Sequence, residues 1–299
     1  MSDAASGAAE IVSIAAGPLT AAISALGAEL QALRLGETDL MWNGDPAVWA
    51  GRAPILFPVV GELAGGEYRL NGRSFPLARH GFARRRVFEV AERTPHSVLF
   101  RLTDDAASRA VYPFAFTLDV RFTLTGAALE VAVTVTNGSA GPMPACFGFH
   151  PAFLWPLPGA GAREDHAIVF EADEPAPLRR LGPNGLVEPA GVPTPVEGRR
   201  LALRDGLFAH DALVFDAPAS RRVRYGGAGG PSITVGFPLM PQLGIWTRPG
   251  AGYVCIEPWH GIADSEGFTG DFAEKTGAVV IAPGESHAFG MTIGVSAAG

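Results

Sequence analysis

The sequence lacks most features that mark secreted, membrane-spanning or nucleic-acid-binding proteins. Its 299 residues include two cysteines, Cys146 and Cys255, which are too few for a disulfide framework. No uncharged apolar run approaches the ~18 residues that suggest a membrane-spanning helix. The net charge of −7 argues against a nucleic-acid partner, which requires a basic surface. The N-terminus carries Asp3 and no basic segment, unlike a signal peptide, so we predict a cytoplasmic protein.

Metal-binding motifs are also missing. Neither an HExxH nor a CxxC spacing occurs anywhere in the chain. The residue types that ligate metals are scattered singly, as His80, His150, His210, Asp211 and His260. This pattern leaves a metalloenzyme as a weak alternative, and we predict that no metal is bound.

What the sequence does contain is apolar material arranged with a period of two. Hydrophobic residues make up 47% of the chain and charged residues 18%, which is enough for a sizeable core. In "FTLDVRFTL" (116–124) every second residue is apolar, and the same holds for "LEVAVTVTN" (129–137). Such alternation is typical of half-buried strands. The turn "TGAA" between them predicts a β-hairpin.

Similar short strands are predicted along the rest of the chain, at 97–102, 232–237, 253–257, 278–282 and 289–295. The 38 glycines and 25 prolines supply the turns between them. Helical periodicity is scarce, and a short helix is expected only near 41–50 or 205–210. The Pro- and Gly-rich stretch 156–198 predicts long loops with embedded strands. Without a linker or repeat, residues 1–299 are predicted to form one all-β domain, a large antiparallel sandwich.

Five local stretches combine polar residues with aromatics, glycines and prolines, a mixture that favours a ligand pocket over surface loops. They are "GRAPILFPVVGE" (51–62), "LARHGFAR" (77–84), "CFGFHPAFLWP" (146–156), "LFAHDALVF" (207–215) and "CIEPWHG" (255–261). Each polar residue taken alone also has a structural explanation, such as a packed imidazole, an ion pair or a turn. His260 and Asp264 fit that structural explanation best.

Glu257 is the most informative single residue. It ends the apolar run "YVCI" (253–256), where a carboxylate loses its water. Burial disfavours the charged form of a carboxyl group, so the pKa of Glu257 is expected to rise and make it a stronger base. A carboxylate in such a place needs either a partner or a chemical role.

Four motifs in order carry a resemblance to a known family. "RHGFAR", "FGFHPAF", "DALVF" and "CIEPWHG", with roughly these separations, resemble the aldose 1-epimerase (galactose mutarotase) family. The bacterial branch with "RHG" and "EPW" motifs is the most similar, and the resemblance extends from about Ile14 to Val295. It implies an antiparallel β-supersandwich that interconverts the α and β anomers of an aldose.

The resemblance also implies residue roles. Glu257 matches the general base and His150 the general acid, placed on opposite sides of one sugar ring. His80, Asp211 and, more loosely, Arg52 match substrate-contacting residues, while Trp259 and Phe149 are candidate faces for stacking on the sugar. The reaction needs no cofactor, and the expected partner is a small sugar bound by a monomer or homodimer. The polar atoms of His80, His150, Asp211 and Glu257 are expected to line one concave face, within ~10 Å of a common point.

Alternatives remain open. Arg52, Arg79 and Arg84 suit the phosphate of a sugar-phosphate mutarotase, because a guanidinium fork matches phosphate oxygens. A non-catalytic carbohydrate-binding protein would keep the aromatics without needing both His150 and Glu257. A glycoside hydrolase would need a second carboxylate beside Glu257. Arg79 and "PW" at 258–259 depart from the galactose-type pattern, so the resemblance leaves the sugar open.

Overall fold

The structure, a computed structural model, describes residues 9–297, and these residues form 25 strands with little helix. In chain order the strands are β1 (Ile11–Ala16), β2 (Leu19–Ser24), β3 (Glu29–Leu35), β4 (Thr38–Asp39), β5 (Ile55–Leu56), β6 (Glu67–Leu70), β7 (Arg73–Pro76), β8 (Glu89–Arg93), β9 (Ser97–Thr103), β10 (Phe116–Thr125), β11 (Ala128–Asn137), β12 (Met143–Ala145), β13 (Phe147–Phe149), β14 (Ala152–Leu154), β15 (Ala167–Phe170), β16 (Leu178–Leu181), β17 (Val187–Val192), β18 (Arg200–Ala202), β19 (Leu213–Phe215), β20 (Arg222–Gly226), β21 (Ser232–Gly236), β22 (Gln242–Trp246), β23 (Tyr253–His260), β24 (Val279–Ile281) and β25 (Ser286–Ser296). The helical segments are α1 (Ala106–Val111) and the 3-10 turns Ala64–Gly66, Ala83–Arg85, Arg163–Asp165, Asp205–Phe208 and Phe272–Glu274. Within this part of the chain, no helix has the length and apolar character needed to cross a bilayer.

Two large antiparallel sheets dominate the fold. A nine-stranded sheet has the order β18-β15-β20-β21-β25-β11-β10-β9-β8. An eight-stranded sheet has the order β17-β16-β19-β22-β23-β13-β5, with β14 also paired to β23. A four-stranded sheet, β1 to β4, and the pairs β6–β7 and β12–β24 complete the structure. The prediction of an all-β, antiparallel architecture is confirmed.

The two large sheets pack against each other through aromatic side chains. Phe147 of β13 stacks on Phe289 of β25 with ring centroids 5.2 Å apart. Tyr225 of β20 donates a hydrogen bond from its hydroxyl to the Leu154 carbonyl of β14 at 2.7 Å. One continuous cluster of buried apolar residues includes members of both sheets and of the four-stranded sheet. The organisation of the whole chain as one domain stays a prediction.

The predicted hairpin is confirmed as β10 and β11. The register pairs Phe116 with Asn137 and Thr125 with Ala128, without a bulge. Alternate residues of both strands are buried, as the period of two requires. Gly126 in the connecting turn has a φ of +59°, a conformation that glycine adopts without a steric penalty.

The other predicted strands are confirmed, whereas one of the two candidate helices is absent. The strands expected at 97–102, 232–237, 253–257, 278–282 and 289–295 are all present. Three agree with the predicted bounds to within one residue at each end, and the third and the last extend further, as Tyr253–His260 and Ser286–Ser296. Of the two candidate helices, only the second exists, as the 3-10 turn Asp205–Phe208. The prediction of a helix near 41–50 is wrong, because the Asp45 carboxylate accepts the Ala47 N–H at 2.9 Å and holds a turn there. Strands β15 to β17 lie within 156–198, as predicted.

Strand β23 lies between β22 and β13 in the eight-stranded sheet, and seven of its eight residues are buried. Glu257 and Trp259 are two residues apart, so both project from the same face. Glycine occupies the facing positions, with Gly244 opposite Glu257 and Gly148 opposite Trp259. A Cβ atom at Gly244 would lie 2.2 Å from Cη2 of Trp259. The indole therefore lies flat over backbone that only glycine provides.

We expect Gly244→Ala to destabilise the protein because its methyl group would overlap the Trp259 ring. Overpacking of this kind costs about 1–3 kcal/mol in the free energy of unfolding. Chemical denaturation measures this cost. Gly206→Ala is the matched control, since its Cβ would meet no heavy atom within 4 Å; its effect should stay within about 1 kcal/mol. Equal stability of the two variants would contradict the packing of Trp259 described above.

Candidate active site

A cavity of about 320 Å³ lies over β19, β22 and β23 of the eight-stranded sheet. This volume is at the lower end of the roughly 300–1,000 Å³ that small-molecule sites occupy, so it suits one small ligand. The walls combine three aromatic faces with polar groups: Trp49, Trp246, Trp259, His80, His150, Arg79, Arg84, Asp211 and Glu257. The four residues expected to share one concave site, His80, His150, Asp211 and Glu257, all line this cavity.

Glu257 is the most buried acid of the cavity, with 1% of its surface exposed. Burial raises the pKa of this carboxyl well above its ordinary value, and the positive charge of Arg79 opposes the rise in part. Among the described residues, its Oε2 has no hydrogen-bond partner. A buried polar atom without a partner costs about 1–3 kcal/mol, which a ligand hydroxyl in the cavity would relieve.

His150 contacts Glu257 directly. Its Nε2 lies 3.2 Å from Oε2 of Glu257, although the two are not aligned as a hydrogen bond. The imidazole stacks on Trp49 at 5.1 Å between ring centroids and meets the edge of Trp246 at 5.8 Å. Burial lowers the pKa of His150 to about 3, so its ring is neutral at neutral pH. Its Nδ1 has no hydrogen-bond partner within residues 9–297.

The spacing of this pair corrects one expectation. Sequence reasoning placed an acid and a base on opposite sides of a sugar ring, but a 3.2 Å contact leaves no room between them. The strand register explains the contact. Gly148 pairs with Trp259 and Ala152 with Cys255, so His150 lies midway between them, opposite Glu257. Cross-strand neighbours have Cβ atoms about 4.5–5.5 Å apart, which brings the ends of these longer side chains together.

His80 is held by its own backbone and by Gly61. The backbone N–H of His80 donates to the Gly61 carbonyl at 3.0 Å, and the backbone N–H of Gly61 donates to the ring Nδ1 of His80 at 3.1 Å. The residue has a φ of +65°, a conformation that costs most residues about 1–3 kcal/mol. Next to it, Gly81 packs against the Phe57 carbonyl, where a Cβ would lie 2.1 Å away. The "HG" pair thus makes a tight turn that directs the imidazole into the cavity.

The proton of His80 follows from these contacts. Burial lowers the pKa of His80 well below its ordinary value, so the ring is neutral and carries a single N–H. Because Nδ1 accepts from Gly61, the proton lies on Nε2. Arg79 Nε is 3.2 Å from that same Nε2, but a protonated nitrogen cannot accept a hydrogen bond, so the two N–H groups compete for acceptors. A ligand oxygen placed beside both nitrogens, within hydrogen-bond distance of each, would accept from both.

Charged side chains surround the cavity mouth. Arg79 Nη2 lies 3.7 Å from Oδ2 of Asp211, and both residues are partly exposed. Asp211 has a φ of +69°, and its Oδ1 accepts the Ala212 N–H at 2.8 Å, which holds the turn. Arg84 donates to the Arg79 carbonyl at 2.9 Å, while its Nε has no hydrogen-bond partner in the described part of the chain. These groups leave donors and acceptors free for a polar ligand.

Two expected substrate contacts lie elsewhere. Arg52 donates from Nη1 to the Gln31 carbonyl at 2.8 Å, which holds it in the four-stranded sheet region and outside the cavity wall. Phe149 is buried between the sheets, with its ring 5.0 Å from that of Phe147. Successive residues of an extended chain project to opposite faces, so Phe149 faces the core where His150 faces the cavity. Neither residue lines the cavity, so its geometry does not support the prediction that they contact a sugar there.

His260 and Asp264, for which the sequence favoured a structural role, both have structural partners. His260 Nδ1 hydrogen-bonds the Gly277 carbonyl at 2.6 Å. Asp264 forms an ion pair of 2.6 Å with Lys275, whose side chain is 2% exposed, and accepts the Ala64 N–H at 2.9 Å. A buried charge needs such a partner to offset its desolvation. The ion pair anchors the loop after β23, and neither of its two side chains lines the cavity.

Trp49 was not anticipated as a site residue. It lies in "AVWAGR", outside any strand, and nothing in that stretch marks it as a ligand contact. Its indole stacks on His150 and on Tyr253, the latter at 5.3 Å. Trp246 is found in register with Cys255, one strand away from Glu257. Only the tertiary fold brings Trp49 to the site.

One trio of metal-ligand types exists in the described chain. The ligand atoms of His150, Cys255 and Glu257 all lie within 4.8 Å of one another. Thiols bind metals as thiolates, but burial and the neighbouring Glu257 raise the pKa of Cys255 well above its ordinary value. The Cys255 thiol is therefore protonated in its apolar surroundings, and a protonated thiol is a poor metal ligand. The prediction of no bound metal stays a prediction.

Antiparallel sheets packed face to face, with a histidine–glutamate pair in an aromatic-lined cavity, define a galactose mutarotase-like sandwich. A galactose mutarotase related enzyme from Lactobacillus acidophilus superposes with a TM-score of 0.88 at 31% identity, covering 97% of this chain and 98% of that one. A galactose mutarotase-like protein from Lactobacillus casei ATCC 334 gives a TM-score of 0.87 at 30% identity, covering 96% and 100%. Protein LacX (chromosomal) of Lactococcus lactis subsp. lactis is 32% identical over 258 residues, which are 83% of this chain and 86% of LacX.

Residues 10–294 match the aldose 1-epimerase family, and the chain belongs to that family. The resemblance carried by the four motifs is confirmed, and so is the β-sandwich fold that it implied.

We expect the His150 ring to stay neutral down to about pH 3, where its lowered pKa lies, whereas an ordinary histidine titrates at about 6.5. The unfolded chain binds this proton near pH 6.5 and the folded chain does not. Falling pH between these values therefore favours the unfolded state and lowers stability. Nitrogen NMR of the histidine rings at about pH 5, with His150→Gln to assign the signal, measures the charge state. A half-protonated His150 at about pH 6.5 would contradict the burial described above.

Proposed function

We propose that this protein is an aldose 1-epimerase that interconverts the α and β anomers of a sugar through an open-chain aldehyde. The observation that carries the proposal is the contact between His150 and Glu257 inside a cavity sized for a small ligand. Each group has a buried polar atom without a hydrogen-bond partner in residues 9–297. Membership of the aldose 1-epimerase family supports the same reaction.

The reaction requires two proton transfers. A base removes the proton of the C1 hydroxyl while an acid gives a proton to the ring oxygen O5. The C1–O5 bond breaks with its electron pair going to O5, and C1 becomes an aldehyde carbon. Rotation about C1–C2 presents the other carbonyl face to the O5 hydroxyl, and both transfers then run in reverse. O1 and O5 are both bonded to C1, so an acid and a base that lie side by side can reach both oxygens.

Glu257 and His150 suit these transfers as a pair that holds one proton. Burial favours the neutral form of each group, so the proton of the empty site lies on Glu257. Sugar hydroxyls that donate to Glu257 favour its ionised form and shift the proton to His150. Glu257 then acts as the base and His150 as the acid at ring opening. Each regains its starting state when the ring closes.

The remaining residues position the sugar. Trp259, Trp246 and Trp49 offer flat apolar faces for the C–H surfaces of a pyranose. The proton on Nε2 of His80 points to a hydrogen bond with a sugar oxygen. Asp211 at the mouth accepts hydrogen bonds from sugar hydroxyls. A cytoplasmic location and a monomeric or homodimeric state stay predictions from the sequence.

A sugar-phosphate mutarotase is the second candidate, because two arginines line the cavity. Arg79 and Arg84 are both in the wall, and Arg84 makes no ion pair with a carboxylate in residues 9–297. A guanidinium fork suits phosphate oxygens. Arg79 faces Asp211, however, and a phosphate bound there would meet the like charge of that carboxylate. A neutral sugar avoids this repulsion.

We expect Glu257→Gln to lower the rate of anomer exchange by about 10²–10⁴-fold, the usual contribution of one acid–base group. Its fold should persist, because an amide replaces a buried carboxyl of equal shape. Saturation-transfer NMR on common aldoses and their 6-phosphates measures exchange for the wild type and the variant. Glu130→Gln, at an exposed position of β11, is the matched control and should retain full activity.

The same screen separates the candidate functions. Faster exchange of a 6-phosphate than of its parent sugar would favour the sugar-phosphate mutarotase. Sugar binding with unchanged exchange in Glu257→Gln would favour a non-catalytic binding protein. No exchange in the wild type for any sugar of the panel would overturn the proposed enzyme.

The one-proton state predicts the pH dependence of kcat/KM. Activity should fall as pH rises through the raised pKa of the pair, because the pair then loses its proton. No loss is expected as pH falls through about 6.5, since the second proton binds only near the lowered pKa of His150, about 3. Polarimetry with subtraction of buffer-catalysed exchange gives the profile. An acid limb at about pH 6.5 would contradict the shielded His150.

A further inference from the structure

Lys275 is the only lysine of the chain, and its side chain is buried. It follows the 3-10 turn Phe272–Glu274, and its backbone N–H donates to the Phe272 carbonyl at 3.1 Å. Its Nζ lies 2.6 Å from Oδ1 of Asp264, which is buried as well. Lysine is almost never fully buried unless its charge is paired. The single ammonium group of the protein is thus committed to an interior ion pair.

Asp264 joins this ion pair to the segment 61–64. Its Oδ2 accepts the Ala64 N–H at 2.9 Å, and its backbone N–H donates to the Glu62 carbonyl at 2.9 Å. The two bonds hold together backbone segments that lie 200 residues apart in the chain. Because Lys275 occupies Oδ1, the carboxylate presents Oδ2 to the segment 61–64. The ion pair therefore fixes the carboxylate that holds this segment.

Gly61 connects the segment to His80. It has a φ of +76°, and a Cβ atom at this position would lie 2.5 Å from the Ala263 backbone. Gly61 is therefore packed directly against the residue that precedes Asp264. Its N–H donates to the ring Nδ1 of His80, and its carbonyl accepts the backbone N–H of His80. A shift of residues 263–264 would move the group that holds the imidazole.

The bond from Gly61 decides which nitrogen of His80 carries the proton. While Nδ1 accepts from Gly61, the single ring proton lies on Nε2. Arg79 opposes this tautomer, because its Nε–H, 3.2 Å from Nε2, could donate to that nitrogen only in the other tautomer. The Nε2–H form of His80 therefore depends on the position of Gly61.

We propose that Lys275 and Asp264 are positioning residues for His80 and act through Gly61. The ion pair fixes the backbone of residues 263–264, this backbone supports Gly61, and Gly61 keeps the proton of His80 on Nε2. Neither charged side chain lines the cavity. The inference rests on the proposed function for the sugar contact of His80, whereas the tautomer of His80 is a property of the empty protein.

Nitrogen NMR of histidine-labelled protein tests the inference without a sugar. The wild type should show His80 as one neutral tautomer with its proton on Nε2, and His80→Gln assigns the signal. Lys275→Met leaves a buried carboxylate without its partner, so Gly61 should lose its fixed position and both tautomers should appear. A mixture already in the wild type, or the single Nε2–H tautomer in the folded variant, would overturn the inference.

Two further variants separate positioning from loss of stability. Asn137→Ala is the matched control, because it removes two side-chain hydrogen bonds of a fully buried residue outside the cavity. It should keep the single tautomer, and a mixture there as well would overturn the inference. If Lys275→Met does not fold, Lys275→Met combined with Asp264→Asn replaces it, since no buried charge then lacks a partner. The same two results decide.

A double-mutant cycle tests whether the positioning reaches the reaction. Lys275→Met should lower kcat/KM for anomer exchange about fivefold, the effect of one net hydrogen bond to the sugar, with the loss in KM. In the His80→Gln background the same change should have no further effect, because both changes remove one interaction. Equal losses in both backgrounds would overturn the inference. If the wild type exchanges no sugar, the proposed function fails and the tautomer of His80 alone decides the inference.

Discussion

The pairing of residues 147–154 with strand β23 is the constraint on which the site depends. Because β13 and β14 keep a single register along β23, His150 lies opposite Glu257. A slip of one residue in this segment would send the His150 side chain to the face opposite Glu257. The glycines at 148 and 244 let the Trp259 ring lie beside this pair. Register and glycine positions together therefore create the wall where His150 and Glu257 meet.

Burial then sets the chemistry of the pair. Both side chains are removed from water, which penalises a carboxylate and an imidazolium alike and moves their pKa values in opposite directions. Such groups titrate as a unit, so the relevant property is the number of protons that the pair holds. Polar atoms left without partners reduce stability in the empty protein. In the proposed reaction a sugar would supply the missing hydrogen bonds, so binding energy and reactivity would come from the same atoms.

Sequence reasoning succeeded where a local pattern determines structure. Alternation over 116–124 and 129–137 predicts the hairpin, since one face of an antiparallel strand is buried. The buried position of Glu257 followed from the apolar run before it. The same reasoning failed for Arg52 and Phe149, which lie beside the right motifs but project elsewhere. Proximity in sequence does not specify the face to which a side chain points when the strand bounds are unknown.

The amino-acid sequence by itself determined the all-β antiparallel architecture, the family and the identity of the candidate acid and base, because strand periodicity and motif order are local properties of the chain. The tertiary structure decided that His150 and Glu257 touch rather than face each other across a ring. It also decided that Trp49 joins the site and that a second, more polar cavity shares Arg79, Leu181 and Asp211 with it. These features arise from contacts between segments far apart in sequence, and no local pattern encodes the distance between such segments.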